Sequence, residues 1–234
     1  DVIFYPDPRE VTLMKGLVGG DREFIANPVF VYGNTEITSS RSRLAHVVQP
    51  ASGRMLFVGG FNHTPNREGI IWFVQHVFPL VQAQWPSATL EIIGSNPPKE
   101  VRALASGTVQ LLGFVSDAEL QKAYADSDLA VAPLRFGAGV KGKVIEAMAK
   151  AVPVATTSFG AQGIDDPGAR LFLGDTPKDL AEAIVLALGD RGEAQKRSSS
   201  ALDFIADHYS ENAMRAIFAR LTERQSPGAP RRCP

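Results

Sequence analysis

The amino-acid sequence predicts an α/β fold, a doubly wound parallel sheet of the Rossmann-like type spanning about Arg54 to Leu188. Three observations predict it. From Arg54 onward, short apolar runs alternate with longer stretches of helical period, the pattern of a parallel sheet covered by helices. The helical stretches carry start signals where the pattern needs them. A chain of 234 residues with 44% hydrophobic and 21% charged side chains is also composed like a globular protein with one large core.

Taken in order, the strands are Met55 to Val58, Leu90 to Ile93, Val109 to Leu112, Leu129 to Ala132, Val152 to Thr156 and Leu171 to Leu173. The helices between them are Arg67 to Gln84, Pro98 to Ala105, Asp117 to Ala125, Val140 to Lys150 and Pro177 to Leu188. Ser116 offers an N-cap with acids in the turn behind it, and Pro177 sits where a first helical turn tolerates proline. The flanks read differently. Residues 1–53 hold one strand-like run, Val2 to Tyr5, a short helix near Pro8 to Leu17, and an extended, turn-rich stretch from Ile25 to Pro50, too little for a core of their own. Helical period returns over Arg191 to His208 and Glu211 to Arg224, and the Pro-, Gly- and Arg-rich tail from Ser226 reads as disordered. The division expected is 1–53 as flank and linker, 54–190 as the α/β domain, 191–225 as C-terminal helices and 226–234 as tail. Opening at Asp1, directly in an apolar run, the chain reads as a piece of a longer polypeptide.

Composition excludes several classes. Lys plus Arg number 24 and Asp plus Glu 25, a net charge of −1, so neither a nucleic-acid coat nor a polybasic membrane surface is expected. The single cysteine, Cys233, permits no disulfide framework and no cysteine-based metal site within one chain. His46, His63, His76 and His208 are too dispersed to suggest a metal, and none is expected. No run reaches the ~18 apolar residues of a membrane span.

Ligands of an open parallel sheet bind beyond the carboxyl ends of its strands, so the loops there are where chemistry is expected. After the first strand, Gly59 and Gly60 let a ligand approach the backbone, or simply form a tight turn. The richest loop follows the fourth strand and runs Pro133-Leu134-Arg135-Phe136-Gly137-Ala138-Gly139-Val140-Lys141-Gly142-Lys143. Small residues expose N–H groups at a helix start, where the dipole adds partial positive charge. Lys141 and Lys143 oppose that dipole, at a cost to stability unless an anion sits among them. Glu146 shares a helix face with Lys143 and could accept the two hydroxyls of a ribose diol, or form an exposed pair worth ~0.3 kcal/mol. The string Gly137-x-Gly139-x-x-Gly142 also matches the dinucleotide fingerprint, but the next strand ends in Thr156-Thr157-Ser158 with no carboxylate for the ribose. Asp165 and Asp166 come only past a second glycine turn, which keeps an NAD(P) site as the alternative.

The order of motifs resembles the carboxyl-terminal half of GT-B fold glycosyltransferases of family 4, the glycosyl transferases group 1. The matching strings are Leu56-Phe57-Val58-Gly59-Gly60, Leu90-Glu91-Ile92-Ile93-Gly94, Leu112-Gly113-Phe114-Val115, Ala125-Asp126-Ser127-Asp128-Leu129-Ala130-Val131-Ala132-Pro133 and Lys143-Val144-Ile145-Glu146-Ala147-Met148-Ala149. The resemblance implies a nucleoside-diphosphate sugar as donor, with Glu146 on the ribose and the backbone of Gly113, Phe114 and Val115 at the base. Gly59 and Gly60 would approach the diphosphate, and Lys143, Lys141 and the helix start at Gly139 and Val140 would neutralise it without metal or cofactor. It implies a retaining transfer to a glycan or lipid-linked acceptor, in the cytoplasm or at the inner face of a bacterial membrane, with at most peripheral membrane contact. The loop resembles a subgroup of surface-polysaccharide and O-antigen assembly. Two positions depart from the pattern. Ala138 stands where the family commonly has an acid, and Gly60 where many members have arginine, with Arg67 nearby as a substitute for a lysine. Residues 1–24 would be the end of an absent acceptor domain, so that the chain alone binds donor and transfers poorly. A module that keeps the fold without transfer chemistry is the further alternative.

Overall fold

The computed structural model of the chain describes residues 2–5, 8–18, 22–28 and 30–224, and of 8–9 and 220–224 the backbone alone. The tail from Ser226, with Cys233, lies outside the described residues. In chain order the elements are β1 (Val2–Tyr5), α1 (Pro8–Leu17), β2 (Glu23–Ala26), α2 (Asn34–Val47), β3 (Arg54–Val58), α3 (Thr64–Trp72), a π-helical turn (Phe73–Val77) and α4 (Phe78–Gln84). There follow β4 (Thr89–Ile93), α5 (Lys99–Arg102), β5 (Val109–Gly113), α6 (Asp117–Asp126), β6 (Leu129–Ala132), α7 (Gly142–Ala149) and β7 (Val154–Thr156). The chain ends with a 3-10 turn (Pro167–Ala169), β8 (Phe172–Leu173), α8 (Pro177–Gly189), α9 (Arg191–His208) and α10 (Glu211–Arg224).

Six strands form one parallel sheet in the order β5-β4-β3-β6-β7-β8. The chain builds outward from β3 to one edge, returns to β6 beside it, and builds to the other edge, so the expected doubly wound sheet is present. Successive strand residues face opposite layers. Phe57 packs with Ile70, Phe73 and Ile184 of α3, the π turn and α8, whereas its neighbour Leu56 packs with Tyr124, Met148 and Ile205 of α6, α7 and α9. Asp128 fixes the lower end of the central pair. One carboxylate oxygen accepts the N–H groups of Ser52, Gly53 and Arg54, each at 2.9 Å, and the Ser52 hydroxyl at 2.8 Å, tying the start of β3 to the start of β6.

The expected helix from Arg67 to Gln84 is interrupted for a local reason. Pro79 has no N–H and its ring crowds the carbonyl four residues back, Gln75, and the widened π turn lies over that residue. The expected strand from Val152 begins only at Val154, since Pro153 cannot donate to a ladder. The expected helix from Val140 begins at Gly142 with Lys141 as N-cap, and Ala151 in the left-handed region, φ 53°, ends it.

The larger correction concerns Ile25 to Pro50. Instead of an extended stretch, residues Asn34–Val47 form the 14-residue helix α2, which packs along α9 and buries Ile37 and Leu44 in the cluster of Leu56 and Val47 in the cluster of Phe57. Most of its other positions are Thr, Ser, Arg and His, and its N-cap Gly33 makes no side-chain cap, so little local signal announces it. Tertiary contacts supply the stability instead. Gln195 of α9 donates to the Leu44 carbonyl at 3.0 Å, and Arg191 donates to that of Val47 at 2.7 Å. Ahead of α2, β1 and β2 pair in parallel with α1 between them, a small unit outside the main sheet. Among the described residues no helix is long and apolar enough to cross a membrane.

Leu44→Ala tests whether α2 belongs to the core. Truncation at this buried position should cost about 2 to 3 kcal/mol, a fall in Tm of roughly 4 to 12 °C for a domain of this size. An unchanged Tm would show α2 to be a loosely attached linker.

Candidate functional site

The strand order reverses between β3 and β6, and a cleft of about 380 Å³ opens above that point. Its walls include His63, Pro65 and Asn66 from the loop and helix after β3, and Gly137, Ala138, Val140, Lys141, Gly142 and Lys143 from the loop and helix after β6. Backbone packing beneath it leaves no room for side chains. A Cβ on Gly94 would collide with the carbonyl oxygen of Gly59, and one on Gly59 would stand 2.7 Å from Lys143 Nζ and 2.9 Å from Asn66 Nδ2. Gly137 and Gly139 have φ of 120° and 73°, which only glycine adopts without strain, so the loop's turn is written in its sequence.

Lys143 projects from the first turn of α7 into this cleft. Its ammonium donates to Asn66 Oδ1 and lies 4.9 Å from the centre of the Phe57 ring. No carboxylate is paired with it among the described residues. Burial first, and the charge of Lys141 second, pull its pKa from 10.5 down to about 7. Lys141 is disposed differently from the sequence expectation that both lysines face one anion. Its ammonium donates to Ala138 O at 2.9 Å, Gly139 O at 2.6 Å and Gln162 Oε1 at 3.2 Å, which closes the loop on itself and onto the loop after β7.

Glu146 lies one turn further along α7 and faces α6. Burial raises its pKa, opposed by a hydrogen bond from the Tyr124 hydroxyl and by the charge of Lys150, with Glu36 pushing it up again. Burial and the Glu146 charge raise Tyr124 and Tyr32 in turn, so both phenols stay protonated and able to donate. Lys150 is bound to Glu36 of α2 in an ion pair. The acid is thus half-buried and oriented by a phenol, unlike the exposed Lys–Glu pair that the sequence also allowed.

The structure brings Gly59, Lys143, Val140 and Lys141 together at the cleft, with Gly60 beside them and Glu146 one helical turn away, whereas Gly139, in the same loop, is not among the lining residues. Gly113, Phe114 and Val115 stand apart at the end of the edge strand β5, two strands and so about 10 Å from β3. Gly113, at φ 73°, accepts the Gly94 N–H at 2.8 Å, and Phe114 is 83% exposed. Arg67 is not among the cleft-lining side chains. Sequence reading missed Asn66 and Tyr124, whose partners lie 77 and 22 residues away; an asparagine in a helix start reads as a cap, and a tyrosine in an apolar stripe reads as core. The dinucleotide string lies at the β6 turn, and Asp165 lines a separate groove with His208 and Tyr209 of the α9 end, so no carboxylate reaches that turn from β7. Among the described residues, no three His, Cys, Asp or Glu side chains cluster as a metal site requires.

Residues 52–190 match the family model of glycosyl transferases group 1, more than half of the chain, and the chain belongs to that family. A curated relative from Klebsiella pneumoniae, described as an uncharacterized 44.6 kDa protein in the cps region, is 29% identical over 173 residues, covering 70% of this chain and 45% of its own length. The fold is shared with TarM from S. aureus, in a crystal structure containing fondaparinux, α-GlcNAc-glycerol and UDP, at a TM-score of 0.69 and 15% identity, over 94% of this chain and 43% of that one. It is shared also with the C-terminal domain of a glycosyl transferase group 1 family protein, LpcC, from Francisella tularensis, at a TM-score of 0.56 and 16% identity, over 74% of this chain and 93% of that one. The chain therefore spans less than half the length of the curated relative and of TarM.

The depressed Lys143 makes a prediction with a definite sign. Unfolded, the lysine keeps its proton up to about 10.5, whereas folded it releases it near 7, so the unfolded chain binds more protons between those values and stability rises with pH there. Lys143→Met removes the buried charge. Its Tm should exceed that of the unaltered chain at pH 6 to 7, with the difference shrinking toward pH 10. A parallel pair of Tm–pH curves would show that the ammonium is not desolvated.

Proposed function

We propose that this chain is the donor-binding half of a glycosyltransferase that uses a nucleoside-diphosphate sugar. The observation that carries the reading is Lys143, a desolvated cation with no carboxylate partner among the described residues, set between a glycine turn and a helix start at the switch point of the sheet. A buried charge is costly unless compensated. A diphosphate across Gly59 and Gly60 supplies the missing negative charge, and the ribose diol reaches Glu146, with the base directed toward Gly113, Phe114 and Val115.

In this reading the diphosphate is the leaving group. As the bond between the anomeric carbon and its phosphate oxygen breaks, negative charge grows on the diphosphate, and an ammonium already fixed beside it stabilises that charge without reorganising. Desolvation strengthens the effect, since the interaction is less screened than in water. No resident metal or cofactor is invoked. Lys143 and Glu146 are the two side chains on which transfer depends, and retention of anomeric configuration follows from the resemblance to family 4.

The acceptor is proposed to be a glycan or lipid-linked saccharide of a bacterial surface polysaccharide, a reading supported by the cps-region relative. Its site belongs to sequence beyond this chain, supported by the share of the relatives' length that the chain covers. Transfer by this chain alone should then be weak, because the acceptor is not held across the cleft. The site is proposed to work in the cytoplasm, at most in peripheral contact with the membrane.

Thermal unfolding with UDP, GDP, dTDP, NAD and NADP tests the donor site. At about a hundred times Kd one nucleoside diphosphate should add about 2.7 kcal/mol, a rise in Tm of roughly 5 to 10 °C. Glu146→Ala and Lys143→Met should each weaken binding and cut the rise to a small fraction of its value at the same nucleotide concentration. A response to NAD or NADP alone would overturn the reading in favour of a nicotinamide site, and a response to none would favour a module without transfer chemistry.

A further inference from the structure

Asn66 occupies a place that neither the lysine nor the glycines explain. It lies in the first turn of α3, half-buried, and its amide faces two ways. Nδ2 donates to the carbonyl of Gly60 at 2.8 Å, and Oδ1 accepts from Lys143 Nζ across 77 residues of sequence. The amide has only one sensible orientation, since turning it over would set its NH₂ against the ammonium and its oxygen against the Gly60 carbonyl. A Cβ on Gly59 would meet both partners, at 2.9 Å from Asn66 Nδ2 and 2.7 Å from Lys143 Nζ, so turn, amide and ammonium share one closely filled space.

We propose that Asn66 is a positioning residue for the diphosphate: its amide ties the turn at Gly60 to the ammonium of Lys143 and so fixes where that cation meets the phosphate oxygens. The proposal rests on the donor-site reading above. Its physical content is that the tether is neutral. A carboxylate at position 66 would hold Lys143 equally well but would form an ion pair with it and compete with the incoming phosphate, and an apolar residue would leave the ammonium without an acceptor. An amide holds the cation and leaves its charge uncompensated for the ligand. The other titratable groups around Lys143 are Lys141 on the preceding loop, His63 at the start of α3 and Glu146 on the next turn of α7. Of these, only the cation Lys141 acts appreciably on its charge.

The test uses the full 234-residue chain and whichever of UDP, GDP and dTDP it binds, beside the matching nucleoside without phosphate. Asn66→Ala should weaken diphosphate binding by about tenfold and Asn66→Asp by about tenfold to a hundredfold, with nucleoside binding unchanged. In the Lys143→Met background Asn66→Ala should have less than about a twofold further effect, because the two act as one unit. In ¹³C-methylated protein the NMR titration of Lys143, assigned by its disappearance in Lys143→Met, should move to higher pH in Asn66→Asp and not in Asn66→Ala. Equal losses for diphosphate and nucleoside, additive losses in the double variant, or an Asp variant that binds and titrates like the unaltered chain would each overturn the proposal. Failure of the unaltered chain to bind any nucleoside diphosphate would overturn the donor-site reading itself; binding indifferent to position 66 would overturn only the role of Asn66.

Discussion

The parallel pairing of β3 with β6 is the constraint on which the rest of the structure depends. In sequence these neighbours are separated by two strands and three crossovers, and their own connections leave in opposite directions, β3 toward the β5 edge and β6 toward the β8 edge. Two loops that diverge from adjacent strands cannot cover the gap between them, so a crevice above the pair follows from connectivity alone. The pair is fixed below by Asp128 and the three N–H groups it accepts. Above, the loop after β6 is held by Thr157, whose hydroxyl donates to Leu134 O, and the strand end by Thr156 on Ala132 O at 2.6 Å. Both threonines are buried, so these bonds are not exchanged with water and the upper edge of β6 is rigid where the cleft begins.

On that frame the site is built by backbone proximity first and by charge second. Gly94 rests on the Gly59 carbonyl, Gly69 packs against the carbonyl of Pro133, and each close approach removes a place where a side chain could intrude. Into the space so defined the chain puts an ammonium. Among the described residues the fold does not neutralise it with a carboxylate; it surrounds it with an amide oxygen and the face of Phe57. Burial of such a charge is expected to lower stability relative to a methionine in the same place, and in the proposed donor site a ligand supplies the countercharge. Lys141, two residues earlier, shows the contrast. Its ammonium donates to protein oxygens, so two lysines that look alike in sequence and both line the cleft are held differently, one tied to its own loop and one to Asn66.

Most of the sheet was legible because its strands are short apolar runs bounded by glycine and proline, and because the stretches between them carry a helical apolar period. Ser116 with the acids behind it and Pro177 in a first helical turn were local signals that survived folding unchanged. Element ends moved where proline or a left-handed residue acted, at Pro79, Pro153 and Ala151. What was not legible was α2, because Ile37, Leu44 and Val47 are diluted among serines, threonines and arginines and the helix gains its stability from α9. The site divided in the same way. Gly59, Lys143 and Glu146 stand out by residue type at a strand end or helix start. Asn66 and Tyr124 acquire meaning only through partners that the fold delivers, and no spacing rule reaches across 77 residues.

The helix that sequence reading missed also bears on the site that it found. Glu36 of α2 is paired with Lys150, and both act on the charge of Glu146, as does Tyr124. Tyr32, just ahead of α2, feels Glu146 and Glu36 together, and its backbone bridges to the far end of the domain: its N–H donates to Tyr209 O at 2.8 Å and its carbonyl accepts from Glu211 at 3.1 Å. The ionisation of Glu146 is therefore set partly by how the segment before β3 packs onto α7 and α9. By linkage the dependence runs both ways, since a ligand that favours the charged carboxylate must also favour the packing that stabilises it. Residues 30–53 in this sense act on Glu146 through Tyr32 and through the pair of Glu36 with Lys150.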